Sequence, residues 1–164
     1  MTKLNPRDLT ISGEDYLKAI YHLSEDGAPA TTTGIAEALA LTAPSVSGMV
    51  KRLADAGLLE HLPYKGVTLT SAGRQAALQM LRRHRLIEAY LVRFLGYGWD
   101  TVHDEAERLE HAVSDDLVNR MADALGNPTV DPHGDPIPTA DGRLVEVASM
   151  PLPDVPVGTT VVIA

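Results

Sequence analysis

The chain has 164 residues, is 45% hydrophobic and contains no cysteine. That is enough apolar material for one or two cored domains, and it excludes disulfide scaffolds and thiolate metal sites. The formal net charge of −8 is uneven: residues 1–75 hold seven Lys/Arg against eight Asp/Glu, 76–126 six against nine, and 127–164 one against five. No basic stripe announces nucleic-acid binding; bound divalent cations would relieve part of the acidic repulsion. No apolar run of about 18 residues reads as a membrane span, and MTKLNPRDLTIS lacks the apolar stretch of a secretory leader. A cytoplasmic protein is expected, with any metal held by histidine and oxygen ligands.

In chain order, Gly13–Leu23 reads as a helix, with Tyr16, Leu17, Ile20, Tyr21 and Leu23 on one face and Ser12 as its cap. A short helix is expected over about 33–39 behind a threonine cluster, then a tight turn at Leu41-Thr42. A third helix runs over about 43–56, with Pro44 in its first turn and Gly57 after its end. Two β-prone runs, 58–62 and 67–70, flank Pro63-Tyr64-Lys65-Gly66 and predict a hairpin. Long helical periodicity follows over about 72–95, capped by Ser71 and carrying Gly73 at a mild cost. After the break Gly96-Tyr97-Gly98, helices are expected from Asp100 to about Val113 and from Asp115 to Leu125, with Ser114 and Gly126 as punctuation. Residues 127–143 hold four prolines and read as a linker or irregular loop. VPVGTTVVI, 155–163, reads as the opening of a β domain, and a lone strand cannot bury itself.

Helix, short helix, turn, helix, hairpin is the order of a winged helix-turn-helix. In the third helix Val46, Met49, Val50 and Leu53 recur at core spacing, whereas Thr42, Ser45, Ser47, Gly48, Lys51 and Arg52 lie on the outer side with Pro44 at its start. In such a fold that side enters the major groove: hydroxyls reach phosphates or bases, and Lys51, Arg52 and the hairpin's Lys65 suit phosphates. Gly48 presents no side chain at a central position, so base reading there is sparse and DNA shape contributes. An amphipathic helix with a merely solvated face is the competing reading.

The segment HDEAERLEH spaces His103, Glu107, Glu110 and His111 at i, i+4, i+7 and i+8, one helical face. His84 and Glu88 repeat the His/carboxylate spacing on the preceding helix, and Asp15 adds a carboxylate on the first. A charged surface stripe is the alternative, but two such pairs and a further carboxylate favour a metal site. Neither His-Glu-x-x-His nor paired Glu-x-x-His motifs occur, and no Ser/His/Asp set or phosphate loop stands out, so an enzyme is not expected. His22 and His133 receive no assignment.

The segments EDYLKAIYHL, IAEALALTAPSVSGMVKRLADAGLL, LTSAGRQAALQMLRRHRLIEAYL and VHDEAERLEHAVSDDL, followed by GDPIP, span about 1–140 and resemble the diphtheria-toxin-repressor family of metal-dependent regulators. The resemblance implies a mainly α chain: a winged helix-turn-helix over 1–72, a helical metal-binding and dimerisation domain over 73–140, and a linker with the start of a truncated SH3-like domain over 141–164. It implies a homodimer that represses metal-homeostasis genes at palindromic operators when a divalent metal is bound. By position, Asp15, Glu107, Glu110 and His111 form the primary site and His84, Glu88 and His103 the ancillary one, with His84 open to either. The iron-responsive branch has Met and Cys where this chain has Asp15 and Glu107; carboxylates favour the harder Mn²⁺, with Fe²⁺ as the alternative. Lys18 departs from the Glu ligand of a manganese subgroup that pairs two metals.

Overall fold

The computed structural model describes residues 9–144 and 156–158. It contains helices α1 (Ile11–Leu23), α2 (Thr32–Ala38) and α3 (Ala43–Asp55), strands β1 (Leu59–Leu62) and β2 (Gly66–Leu69), and helices α4 (Ser71–Leu95), α5 (Val102–Leu109) and α6 (Asp115–Ala124). The reading of 155–163 as a strand opening an SH3-like domain lies largely outside the described residues. Among the described residues no helix is long and apolar enough to cross a membrane. The chain divides into two compact units, Met1–Leu81 and Arg82–Ala164, so that α4 supplies residues to both.

In the first unit α1 packs against α2 and β2, α2 against α3, and α3 against β1. Its apolar periodicity becomes a core of Tyr16, Leu17, Ile20, Ile35, Val46, Val50, Leu53, Leu58 and Val67, all buried. Met49 is only half-buried. The caps of α1 and α4 differ from the sequence expectation, whereas the threonine cluster caps α2 as expected, all for a common reason. A cap needs extended backbone and a hydroxyl facing the third amide onward, and Thr10 and Thr31 meet that condition, accepting from the amides of Gly13 and Gly34. Thr70 likewise accepts from the Gly73 amide at 3.1 Å, in place of Ser71, which is helical. Gly73 itself is no mere tolerated cost. A Cβ there would stand 2.0 Å from the Leu58 carbonyl oxygen, so only glycine lets α4 run this close to the entrance of the hairpin.

The hairpin pairs Leu59 with Leu69 and Leu62 with Gly66, and Ala30 adds a two-bond bridge to Val67 on the other edge of β2, at 2.9 Å each way. The tip follows the pattern of a type II turn: the Lys65 amide bonds the Leu62 carbonyl at 3.0 Å, Pro63 leads, and Tyr64 takes φ +63°. That left-handed conformation costs a non-glycine residue about 1–2 kcal/mol.

In the second unit α4 is buried on two sides. Ile87 and Leu91 pack with Val102 and Ala106 of α5, and Leu86 packs with Val118 and Ala122 of α6 and with Ile137. Residues 127–143 are therefore not a loose linker. Ile137 and Pro138 are buried, Arg82 of α4 donates to the Pro138 carbonyl at 2.9 Å, and Arg85 to the Pro136 carbonyl at 2.6 Å. Prolines remove backbone donors but leave their carbonyls, and the arginines of α4 satisfy these.

Candidate metal centre and DNA-facing helix

α5 ends at Leu109, four residues short of the expected stop. His103, Glu107, Glu110 and His111 therefore do not share one regular helical stripe. His103 and Glu107 stand on α5, while Glu110 caps it and His111 lies in the turn beyond. The helix tightens at its exit, where the Ala112 and Val113 amides both turn back to the Leu109 carbonyl. Exposure follows: the side chains of His103 and Glu107 are 61% and 38% exposed, those of His111 and Glu110 11% and 0%. Arg83 of α4 fixes this exit, donating to the Glu110 carbonyl at 3.1 Å and to Asp115 at 2.8 Å.

One turn of α4 presents His84 and Glu88, both buried, toward α5. His84 Nε2 lies 3.0 Å from Glu88 Oε1 and 3.1 Å from His103 Nδ1, and His103 Nδ1 lies 3.2 Å from Glu88 Oε1. The other ring nitrogen, His84 Nδ1, meets Glu110 Oε2 at 2.5 Å and Glu107 Oε1 at 3.8 Å. His84 thus belongs to two potential ligand groups, His84/Glu88/His103 and His84/Glu107/Glu110. Once the second ring proton leaves, bonding of Nδ1–H to Glu110 would fix the tautomer whose Nε2 lone pair faces Glu88 and His103.

Charge in this cluster is partly offset by the residues themselves. Burial alone would lower the His84 pKa, but hydrogen bonds and charge from Glu110 and Glu88 outweigh it and push it up to about 9. Burial alone would raise Glu88; the His84 hydrogen bond and charge, then His103 and His133, hold it below its ordinary value. A proton on His84 does electrostatically what a cation would do.

The donor set fits a divalent metal. Ligand bonds of about 2.0–2.2 Å imply edges of about 2.8–3.1 Å for an octahedron and about 3.3–3.6 Å for a tetrahedron. The His84/Glu88/His103 triangle, at 3.0, 3.1 and 3.2 Å, lies nearer the octahedral range. The atoms are imidazole nitrogens and carboxylate oxygens, as hard cations require.

A further group escaped the sequence reading. Glu88, Asp131 and His133 bring ligand atoms together. His133 Nε2 lies 2.7 Å from the Trp99 carbonyl, to which it donates, leaving Nδ1 to face Glu88 Oε2 at 3.7 Å. Asp131 is buried, its Oδ1 accepting from the His133 and Asp135 amides; burial raises its pKa, against those two hydrogen bonds. Glu88 therefore turns one oxygen toward each group. The only sequence signal was an Asp-x-His pair inside a proline-rich segment, without helical spacing.

In the first unit Asp15 is half-buried on α1. Thr42, Pro44, Ser45, Ser47, Gly48, Lys51, Arg52 and Lys65 are all exposed. The Thr42 and Ser45 hydroxyls bond each other at 3.0 Å, and Ser47 donates back to the Ala43 carbonyl at 3.0 Å. These hydroxyls are preoriented, with oxygen lone pairs left to offer. Val46, Val50 and Leu53 hold the opposite face in the core.

Comparison with known proteins matches residues 8–67 to the N-terminal DNA binding domain of iron dependent repressors, and residues 70–139 to their metal binding and dimerisation domain. An iron-dependent repressor of Mycobacterium leprae is 38% identical over 156 residues, covering 88% of this chain and 68% of that protein. The diphtheria toxin repressor of Corynebacterium diphtheriae is 37% identical over 135 residues, covering 82% and 60%. Among solved structures, a manganese-dependent transcriptional repressor in complex with manganese superposes with a TM-score of 0.78 at 50% identity, covering 83% of this chain and 63% of that one. The manganese regulator SloR gives 0.74 at 44%, covering 84% and 64%. The chain thus spans less than two thirds of the length of most of these relatives. Both matched domains are met here by the winged first unit and the ligand-bearing helices of the second, so the chain belongs to the iron-dependent repressor family of metal-dependent, DNA-binding transcriptional repressors.

Proposed function

We propose that this chain is a Mn²⁺-activated homodimeric repressor that binds palindromic operators of metal-homeostasis genes. The observation supporting this reading is the sulfur-free donor set gathered around His84, in which the His84/Glu88/His103 edges of 3.0, 3.1 and 3.2 Å lie near those of an octahedral ion. The primary ligands are Asp15, Glu107, Glu110 and His111, with Asp15 taken from the family resemblance. His84, Glu88 and His103 form the ancillary set, and Asp131 and His133 extend it through Glu88. When bound, the metal supplies positive charge that replaces the His84 proton and holds α4, the α5 exit and the 131–133 turn in one arrangement. Metal must bind the DNA-competent form more tightly than the other, and DNA then tightens metal binding reciprocally; about 1–3 kcal/mol of coupling suffices for a graded switch. Contacts from Thr42, Pro44, Ser45, Ser47, Gly48, Lys51, Arg52 and Lys65 read and grip the duplex.

Iron is the competing activator, favoured by the 37–40% identity to iron-dependent repressors and diphtheria toxin repressors. An anaerobic titration of duplex binding with Mn²⁺ and Fe²⁺ separates the two. The duplex is one enriched by the Mn²⁺-loaded chain from a random-sequence library. Half-maximal binding is expected at lower free Mn²⁺ than Fe²⁺, and the Asp15→Met, Glu107→Cys double variant should reverse that order. Tighter response of the wild-type chain to Fe²⁺ overturns the manganese assignment.

A further inference from the structure

Glu110 is gripped at both ends by consecutive residues of α4. His84 Nδ1 meets its Oε2 at 2.5 Å, and Arg83 Nη1 donates to its carbonyl at 3.1 Å. The other carboxylate oxygen, Oε1, lies 3.4 Å from His111 Nε2. The side chain is fully buried, so where these oxygens point depends on where the backbone stands. That backbone lies past the last residue of α5, where helical amides no longer serve every carbonyl and helix ends fray. Arg83 supplies a donor there from the middle of a 25-residue helix. Its second arm, Nη2, meets Asp115 Oδ1 at 2.8 Å in the first turn of α6. One guanidinium fork thus joins α4 to the elements on either side of the His111 turn.

We propose that Arg83 is a positioning residue of the metal centre: it anchors the Glu110 backbone so that the carboxylate gives one oxygen to His84 and keeps the other beside His111 for the ion. The inference rests on the metal-site reading above and adds to it a residue that need touch neither metal nor DNA. Ligands must be held to within about 0.5 Å, and a glutamate reaches its oxygens through several rotatable bonds, so drift of the backbone carries through to both. The Arg83 side chain is only 18% exposed, although its ion-pair partner Asp115 is 77% exposed. An exposed ion pair contributes little by itself; the bond to the carbonyl is what draws the guanidinium inward. The sign of the electrostatics separates this role from a charge effect. A guanidinium near a cation site repels the ion, and its removal on that ground alone would tighten binding. Loss of an anchor weakens it.

The test is calorimetry of the full metal-free chain with Mn²⁺ alone. The binding step that Glu110→Ala weakens or removes is expected to be about 10–100-fold weaker in Arg83→Ala, the loss usual for residues that orient a ligand. Arg83→Met keeps the apolar stem and loses every donor; it should match Arg83→Ala and replaces it if Arg83→Ala does not fold. Arg83→Lys, which keeps the charge and a donor, should recover part of the loss. In the Glu110→Ala background the same substitutions should change the remaining Mn²⁺ binding by less than about threefold, because the carboxylate that Arg83 positions is gone. In the metal-free chain, amide exchange at Ala112 and Val113 should quicken in Arg83→Met as the α5 exit loosens. Four results each overturn the positioning role alone: Mn²⁺ binding in Arg83→Met as tight as wild type or tighter, no recovery in Arg83→Lys, an equal loss with and without the Glu110 carboxylate, or unchanged exchange at the exit. Mn²⁺ binding by Glu110→Ala as tight as by the wild type overturns the parent reading instead, whatever Arg83 does.

Discussion

His84 carries a proton in the metal-free chain because Glu110 and Glu88 flank its two nitrogens in a dry setting. A folded pKa of about 9 against an ordinary 6.5 has a definite sign. The stabilisation is fully present below pH 6.5 and is lost as pH rises through about 9. Glu88, lowered, adds stabilisation that is lost as pH falls below its ordinary range. Mn²⁺ competes with the His84 proton, so its affinity should rise with pH by up to about tenfold per unit below pH 9. Calorimetry across pH 6–9 in two buffers of different ionisation heat reads that released proton. Glu110→Gln should flatten the dependence, and an equally steep one in that variant would sink the assignment. Residue types were legible at this scale, because histidines and carboxylates at i, i+4 on two helices are an unusual way to cover a surface. Their grouping was not. Whether His84 uses one nitrogen or both depends on side-chain rotamers, and Asp131 and His133 reach Glu88 through a loop without periodicity.

Elements were the most legible scale. Among the described residues, five of the six helices match apolar periodicity to within a few residues, since burying one face fixes both the period and the length. Two caps moved, from Ser12 to Thr10 and from Ser71 to Thr70, because hydroxyl residues lie one or two positions apart there and only backbone geometry selects between them. The exception, α5, stopped early where Arg83 engages the Glu110 carbonyl, a contact 27 positions away that no local pattern encodes. Gly73 gives this scale a sharp test. In an open helix Gly→Ala gains about 1 kcal/mol. Here the Leu58 carbonyl blocks the added methyl, and Gly73→Ala should cost about 1–3 kcal/mol. Urea unfolding of the metal-free protein measures the sign, and a stabilised variant would refute the close approach.

For the whole molecule, the second unit exposes large apolar side chains: Phe94 and Leu95 at the end of α4, Tyr97 and Trp99 in the break, and Leu117 on α6. Such surface in a family that carries a dimerisation domain predicts self-association. Leu95→Asp with Trp99→Asp should convert a dimer into a monomer in light scattering and weaken duplex binding by at least about 100-fold, since one reader can then grip only one half-site. An intact dimer in that double variant would move the interface elsewhere. Fold class followed from element order, and the DNA module from helix–helix–hairpin succession. The choice between manganese and iron rests on two carboxylate positions, Asp15 and Glu107, too few to be decided by pattern.

The bonds from Arg82 and Arg85 to the Pro138 and Pro136 carbonyls at one end, and the Arg85–Asp131 ion pair at 3.8 Å at the other, turn residues 131–138 into a strap riveted to the helix that bears Glu88. Slack cannot be added to a strap fastened at both ends without displacing the buckle. One residue inserted between Gly134 and Pro136 would leave every ligand type in place, yet move His133 relative to Glu88. Reach, as much as chemistry, is what this segment contributes.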